Sequence, residues 1–116
     1  QRVAVVRAFL VKPDLLLMDE PFSALDELTA QRMREELQVL WESQRMSVVF
    51  VTHNPLEAIY LSDRVALMGP RPGRVLEVLD LRSLLPRPRD PDDRRLWELS
   101  REVIHRLDLK GQARKR

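Results

Sequence analysis

Leu15-Leu16-Leu17-Met18 runs without a polar break into Asp19-Glu20, and Pro21 stops it. No other stretch constrains the fold as tightly. A short unbroken apolar run bounded by a turn former reads as a strand buried on both faces, the kind found inside parallel sheets. Pro21 has no N–H to give a central strand, so the strand ends at the acids. In open α/β sheets ligands bind beyond the carboxyl ends of the strands, which is where Asp19 and Glu20 fall. Paired carboxylates at such an edge can hold a divalent metal and orient a water against a phosphate. The same pair is equally compatible with two solvated residues in a strand-to-helix turn.

The flanking chain supplies a rhythm. Gln1 to Val11 reads as a helix, ended at Lys12-Pro13-Asp14 because the residue before proline is driven out of the helical region. After the strand, Phe22-Ser23-Ala24-Leu25-Asp26 is a loop, and Asp26 suits the N-cap of a helix from Glu27 to about Gln44, on which Met33, Leu37, Leu40 and Trp41 recur at helical spacing. Ser47 to Thr52 is a second short, β-branched run, ended by His53-Asn54-Pro55, and Pro55 suits the first turn of a helix reaching Leu61. Arg64–Met68 and Arg74–Val78 are further strand candidates around the turn Pro70-Arg71-Pro72-Gly73. Asp92 to Leu109 is predicted as an amphipathic helix with Leu96, Leu99, Val103 and Leu107 on one face, and Gly111–Arg116 as a disordered end.

Strand–helix–strand–helix–strand predicts an α/β fold with a mostly parallel sheet. The residue beyond the second strand then falls on the same edge as the acids. That residue is His53, and an imidazole can donate to a phosphate oxygen near neutral pH. Composition removes several alternatives. There is no Cys, hence no disulfide framework and no thiolate metal site, and no apolar run approaches a membrane span. With no secretory signal either, the chain is expected to be soluble and cytosolic. Glycine occurs only at 69, 73 and 111 and lysine only at 12, 110 and 115, so no GxxxxGK[ST] phosphate-binding loop can be assembled. Charge is uneven: residues 1–81 hold nine Lys/Arg against twelve Asp/Glu, residues 82–116 eleven against six. The basic tail invites a nucleic-acid or anionic-membrane partner. Interleaved acids and a single aromatic, Trp97, argue instead for a solvated surface helix and against nucleic acid.

These residues carry a resemblance. Leu15–Pro21 resembles the Walker B strand of ATP-binding-cassette ATPases, Ser23-Ala24-Leu25-Asp26 their D-loop, and Val51-Thr52-His53 their switch-histidine loop. Gln1–Ala8 is similar to the helix that follows their signature sequence, so all four motifs occur in family order over residues 1–68. Asn54 replaces the commoner aspartate after the histidine. The resemblance implies the C-terminal half of such an ATPase, a P-loop NTPase fold, with residues 1–81 the ATPase part and 82–116 a basic linker, helix and disordered end. It also implies ATP and Mg²⁺ as cofactors. Asp19 would bind the metal, Glu20 would act as general base or water orienter, and His53 would contact the γ-phosphate. Asp26 and Ser23 would couple the two nucleotide sites of a sandwich dimer with a second ATPase subunit.

Leu67–Val75 and Leu85–Asp90 are similar to segments of the nitrate/sulfonate/taurine class of bacterial importer ATPases. That likeness implies transmembrane permease subunits as partners, a periplasmic solute-binding protein indirectly, and a cytoplasmic place on the inner face of the cell membrane. Two other functions compete for the same residues. One is a nucleic-acid-associated cassette ATPase outside transport, against which stands the lack of a long insertion between Asp26 and His53. The other is a regulatory fragment that does not hydrolyse ATP, which the missing phosphate-binding loop keeps open.

Overall fold

A computed structural model describes residues 7, 8, 10–70 and 73–115. Its strands are β1 (Leu15–Asp19), β2 (Ser47–Val51), β3 (Arg64–Met68) and β4 (Val75–Asp80). Its helices are α1 (Glu27–Gln44), α2 (Pro55–Leu61) and α3 (Arg94–Lys115). The helix expected over Gln1–Val11 is seen at Arg7, Ala8 and Leu10, while Gln1–Val6 and Phe9, and with them most of the Gln1–Ala8 resemblance, lie outside the described residues. So do Arg71 and Pro72 of the expected Pro-Arg-Pro-Gly turn, and Arg116. Among the described residues no helix is long and apolar enough to cross a membrane. Contacts divide the chain into two compact units, Gln1–His53 and Asn54–Arg116, and the compositional change at residue 82 falls inside the second.

In the first unit, α1 begins where its cap dictates. Asp26 has extended backbone, and its Oδ1 accepts from the Thr29 amide, satisfying one of the orphan donors of the first turn. Ala30, Met33 and Leu37 are buried on one face, together with Arg34 and Gln38. Arg34 is tied back to Glu27 at 2.9 Å. The helix ends at Arg45, which takes a left-handed conformation (φ 55°) and donates its amide to the Trp41 carbonyl at 2.7 Å. The guanidinium of Arg45 lies 4.8 Å from the Trp41 ring centroid, and the indole N–H donates to the Met46 carbonyl. These contacts fix the entry into β2.

Strands β1 and β2 pair in parallel, with Leu15 opposite Ser47 and Asp19 opposite Val51. The strand pattern predicts this pairing but also predicts burial of both faces, and that second expectation fails. Leu16, Met18, Val48 and Phe50 are half-buried, whereas Leu15, Leu17, Val49 and Val51 are 52 to 68 % exposed. Apolar side chains on both pleats show that the sequence suits a sheet layered on two sides. Two paired strands cannot supply a second layer.

The second unit departs from the parallel expectation. Here β3 pairs with β4 in antiparallel fashion, with Arg64 opposite Asp80 and Met68 opposite Val75, and the Gly69 amide donates to the Arg74 carbonyl. The six-residue link across residues 69–74 is too short for the crossover a parallel pair requires. Among the described residues the chain is therefore α/β with one parallel and one antiparallel pair, not a mostly parallel sheet. Helix α2 packs on β3 and on α3. Ile59, Tyr60, Leu61, Val65, Leu67, Leu81, Leu85, Leu96 and Val103 form its core. Leu96, Ser100 and Val103 are buried on α3, with Leu99 and Leu107 beside them, which is the face the periodicity predicts. The helix runs on to Lys115, through residues that composition suggests as a disordered end. Lys, Gln, Ala and Arg are good helix formers, and the single Gly111 costs only about 1 kcal/mol.

Short-range ion pairs close the exposed edge of this unit. Arg82 grips Asp80 with two of its side-chain nitrogens, Nε at 3.0 Å and Nη2 at 2.6 Å, and with its amide. The Arg82 hydrogen bonds hold the Asp80 carboxyl down to about 2. Arg95 lowers Asp93 in the same way. Because the folded values lie below the unfolded one, these contacts stabilise above the ordinary carboxylate range and fade as acid protonates the folded group. The stability advantage of the wild type over Arg82→Ala is expected to shrink as pH falls from about 4 to about 2. Chemical denaturation at a series of pH values checks this, and an advantage that grew in acid would reverse the assignment.

Candidate active site

The parallel register sets the site. Asp19 pairs with Val51 at the carboxyl edge, so Glu20 on one strand and Thr52-His53 on the other leave the sheet side by side. The Glu20 amide donates to the Val51 carbonyl at 2.7 Å, extending the ladder by one bond beyond the strand. From there the side chains converge. His53 Nε2 lies 3.0 Å from Glu20 Oε1, an ion pair when the imidazole is protonated. The His53 side chain is 92 % exposed and that of Glu20 28 %. Glu20 Oε1 accepts no hydrogen bond among the described residues, so the contact is one of charge and proximity. A carboxylate partly shielded from water beside an exposed imidazole places an acceptor and a donor of protons within reach of one small substrate group.

The backbone at Glu20 is unusual. Its φ is 49°, in the left-handed region, and it precedes proline, which itself favours extended backbone at the preceding residue. A left-handed non-glycine residue costs about 1–3 kcal/mol and persists only where its surroundings hold it. Here the Glu20 carbonyl accepts from the Ser23 amide at 3.3 Å and from the Ser23 hydroxyl at 3.1 Å. Pro21 therefore opens a turn in which the Leu25 amide also donates to the Phe22 carbonyl, and Phe22 is buried.

The predicted residues separate into three groups. Glu20 and His53 are brought together, as the sheet-edge argument expects. Asp19 ends β1 and is exposed, a hard oxygen donor without a partner cage. Among the described residues no group of three His, Cys, Asp or Glu is placed to hold a metal. A lone exposed carboxylate is a donor type that Mg²⁺ accepts alongside water and substrate phosphates. Asp26 has both carboxylate oxygens engaged by Thr29, Oδ1 by the amide and Oδ2 by the hydroxyl at 2.8 Å, and the Thr29 amide lowers its pKa first among several local contacts. Ser23 meets Glu20 at its backbone carbonyl, through both its amide and its hydroxyl. An apolar groove along α1, lined by Met33, Leu37 and Leu40, contains none of these residues.

Two features are not visible in the sequence reading. The left-handed Glu20 has no sequence signal, since Pro21 favours extended backbone at that position. The burial of Arg89 has no signal at all, since Leu85–Asp90 reads as a basic linker, yet this arginine is 4 % exposed.

No protein-family model matches the chain. Curated relatives do. Over 96 % of its length the chain is 40 % identical to an aliphatic sulfonates import ATP-binding protein of Bacillus cereus, of which it covers 43 %. It is 49 % identical, over 70 % of its length, to a taurine import ATP-binding protein of Rhizobium johnstonii, covering 31 % of that protein. Over 92 % of its length it is 41 % identical to an uncharacterized ABC transporter ATP-binding protein of Methanocaldococcus jannaschii, covering 39 % of it. The chain thus spans less than half the length of the curated relatives it matches.

Proposed function

We propose, for a chain whose relatives are ATP-binding-cassette ATP-binding proteins, that it is the C-terminal segment of an importer's ATPase subunit with a P-loop NTPase fold. Residues 1–81 are its ATPase part and 82–116 its accessory tail. The observation that carries this is the pair Glu20–His53, set 3.0 Å apart beyond the carboxyl ends of two parallel strands. In this function Glu20 accepts the proton of the attacking water and orients it, and His53 donates to the γ-phosphate. Phosphoryl transfer needs positioning and charge neutralisation more than covalent chemistry, which such a pair can give. Asp19 would hold Mg²⁺ through water, and the ion when bound neutralises phosphate charge. Asp26 and Ser23 face the second ATPase subunit of a nucleotide-sandwich dimer.

The names of the relatives support a small anion such as a sulfonate or taurine as cargo, and the importer class that the sequence resembles adds nitrate. With import as the function, permease subunits are its partners, a periplasmic solute-binding protein acts through them, and the chain resides on the cytoplasmic side of the membrane. The phosphate-binding loop is not among these residues, so this segment alone is expected to lack micromolar affinity for Mg-ATP in calorimetric titration.

In the full-length protein, Asp19→Asn is expected to weaken Mg²⁺-dependent nucleotide binding by about 10-fold or more, while binding measured in EDTA changes little. Removing a ligand charge should act on the metal and not on the metal-free nucleotide. Equal losses with and without Mg²⁺ would take Asp19 out of the metal site.

A further inference from the structure

We infer that Ser23 is a positioning residue, whose hydroxyl and amide together hold Glu20 in its left-handed conformation and so aim its carboxylate at His53. The inference rests on Glu20 being the carboxylate that orients the attacking water. Three hydrogen bonds converge on the Glu20 backbone: its amide to the Val51 carbonyl at 2.7 Å, and its carbonyl from the Ser23 amide at 3.3 Å and hydroxyl at 3.1 Å. The first ties Glu20 to β2, the strand that leads into His53. The other two close the turn over Pro21, against the extended preference that proline imposes on its neighbour. Strain held by its surroundings at a reactive group is a mark of pre-organisation. A serine hydroxyl has one proton to donate, and here the Glu20 carbonyl takes it. The Ser23 hydroxyl therefore holds its own subunit's carboxylate through this hydrogen bond, while the loop around it stays free to face the second subunit.

The test uses the full-length protein, with single-turnover hydrolysis and nucleotide affinity measured for Ser23→Ala, Ser23→Thr and Ser23→Cys, alone and in the Glu20→Gln background. Ser23→Ala is expected to slow hydrolysis about 3–10-fold, the size of one neutral hydrogen bond, with nucleotide affinity unchanged. Ser23→Thr, which keeps the hydroxyl, should restore most of the rate. Ser23→Cys, a weak donor of similar size, should fall between and serves if the alanine variant does not fold. In the Glu20→Gln background Ser23→Ala should cost nothing further, because a positioning residue acts only through the group it positions. The inference is overturned if Ser23→Ala slows the Glu20→Gln protein by the same factor as the wild type. It is equally overturned by a loss of nucleotide affinity with the rate kept, which would mean contact with nucleotide. A Glu20→Gln protein that hydrolyses at the parent rate would remove the premise itself, and that result is separate from any behaviour of Ser23.

Discussion

Glu20→Gln in the full-length protein is expected to leave nucleotide binding nearly intact and to lower hydrolysis by about 10²–10⁴-fold, the range for a positioned acid or base. Glutamine keeps the length, the volume and one oxygen acceptor of the side chain. It loses the negative charge and the basicity that accept a proton. Because Glu20 is oriented by its own backbone hydrogen bonds to Val51 and Ser23, the substitution should not disturb the turn. The effect should therefore fall on turnover and spare the ground-state complex, the pattern of an interaction used only in the transition state. His53→Ala should show the same pattern, since its exposed ring holds no structural contact but the one to Glu20 among those described. Binding and turnover must be measured together. Parent-rate hydrolysis by Glu20→Gln would return Asp19 and Glu20 to solvated turn residues.

Much of this site is legible in the sequence because it is set by local rules. The end of β1 follows from Pro21, the start of α1 from the Asp26 cap, and the placing of His53 from a second apolar run of matching length. Parallel pairing then brings Glu20 and His53 together without further information. What is not legible depends on contacts distant in sequence or on backbone torsions that no composition encodes. The β3–β4 hairpin breaks the parallel rhythm because a short link outweighs the pattern of strand and helix. The exposed faces of Leu17 and Val49 show the opposite limit: the pattern records the layers a strand suits, not the layers this chain supplies. The left-handed turn at Glu20 is a torsional fact that runs against the extended backbone its proline neighbour favours.

Arg89 reads in the sequence as part of a basic solvated segment, and its burial leads to the largest stability effect expected here. Its Nε donates to the Leu85 carbonyl at 2.8 Å, and its Nη1 to the carbonyls of Ile59, at 2.8 Å, Tyr60 and Ser62. Arg87 adds contacts to the Leu61 carbonyl and to Asp63, the latter at 2.9 Å. The last carbonyls of α2, which have no helical partner, are thus met by two guanidinium groups, and the positive charge complements the helix dipole. Burial, with help from the charge of Arg87, pulls Arg89 down to about 10, so it remains charged at neutral pH. Arg89→Ala removes the donors while the carbonyls stay buried, and each unmet group costs about 1–3 kcal/mol. Relief of a desolvated charge offsets part of that loss, leaving a net destabilisation of about 3 kcal/mol. Arg89→Lys should recover only a fraction, because a point charge cannot reach four carbonyls that a planar fork spans. In the full-length protein the sensitive probe is the Ser62 amide, which bonds to the Ala58 carbonyl at the end of α2. Its hydrogen exchange should quicken roughly 100-fold in Arg89→Ala if the helix end opens locally. Exchange within about 2-fold of the wild type, a difference of about 0.4 kcal/mol, would mean that water meets those carbonyls as well as arginine does.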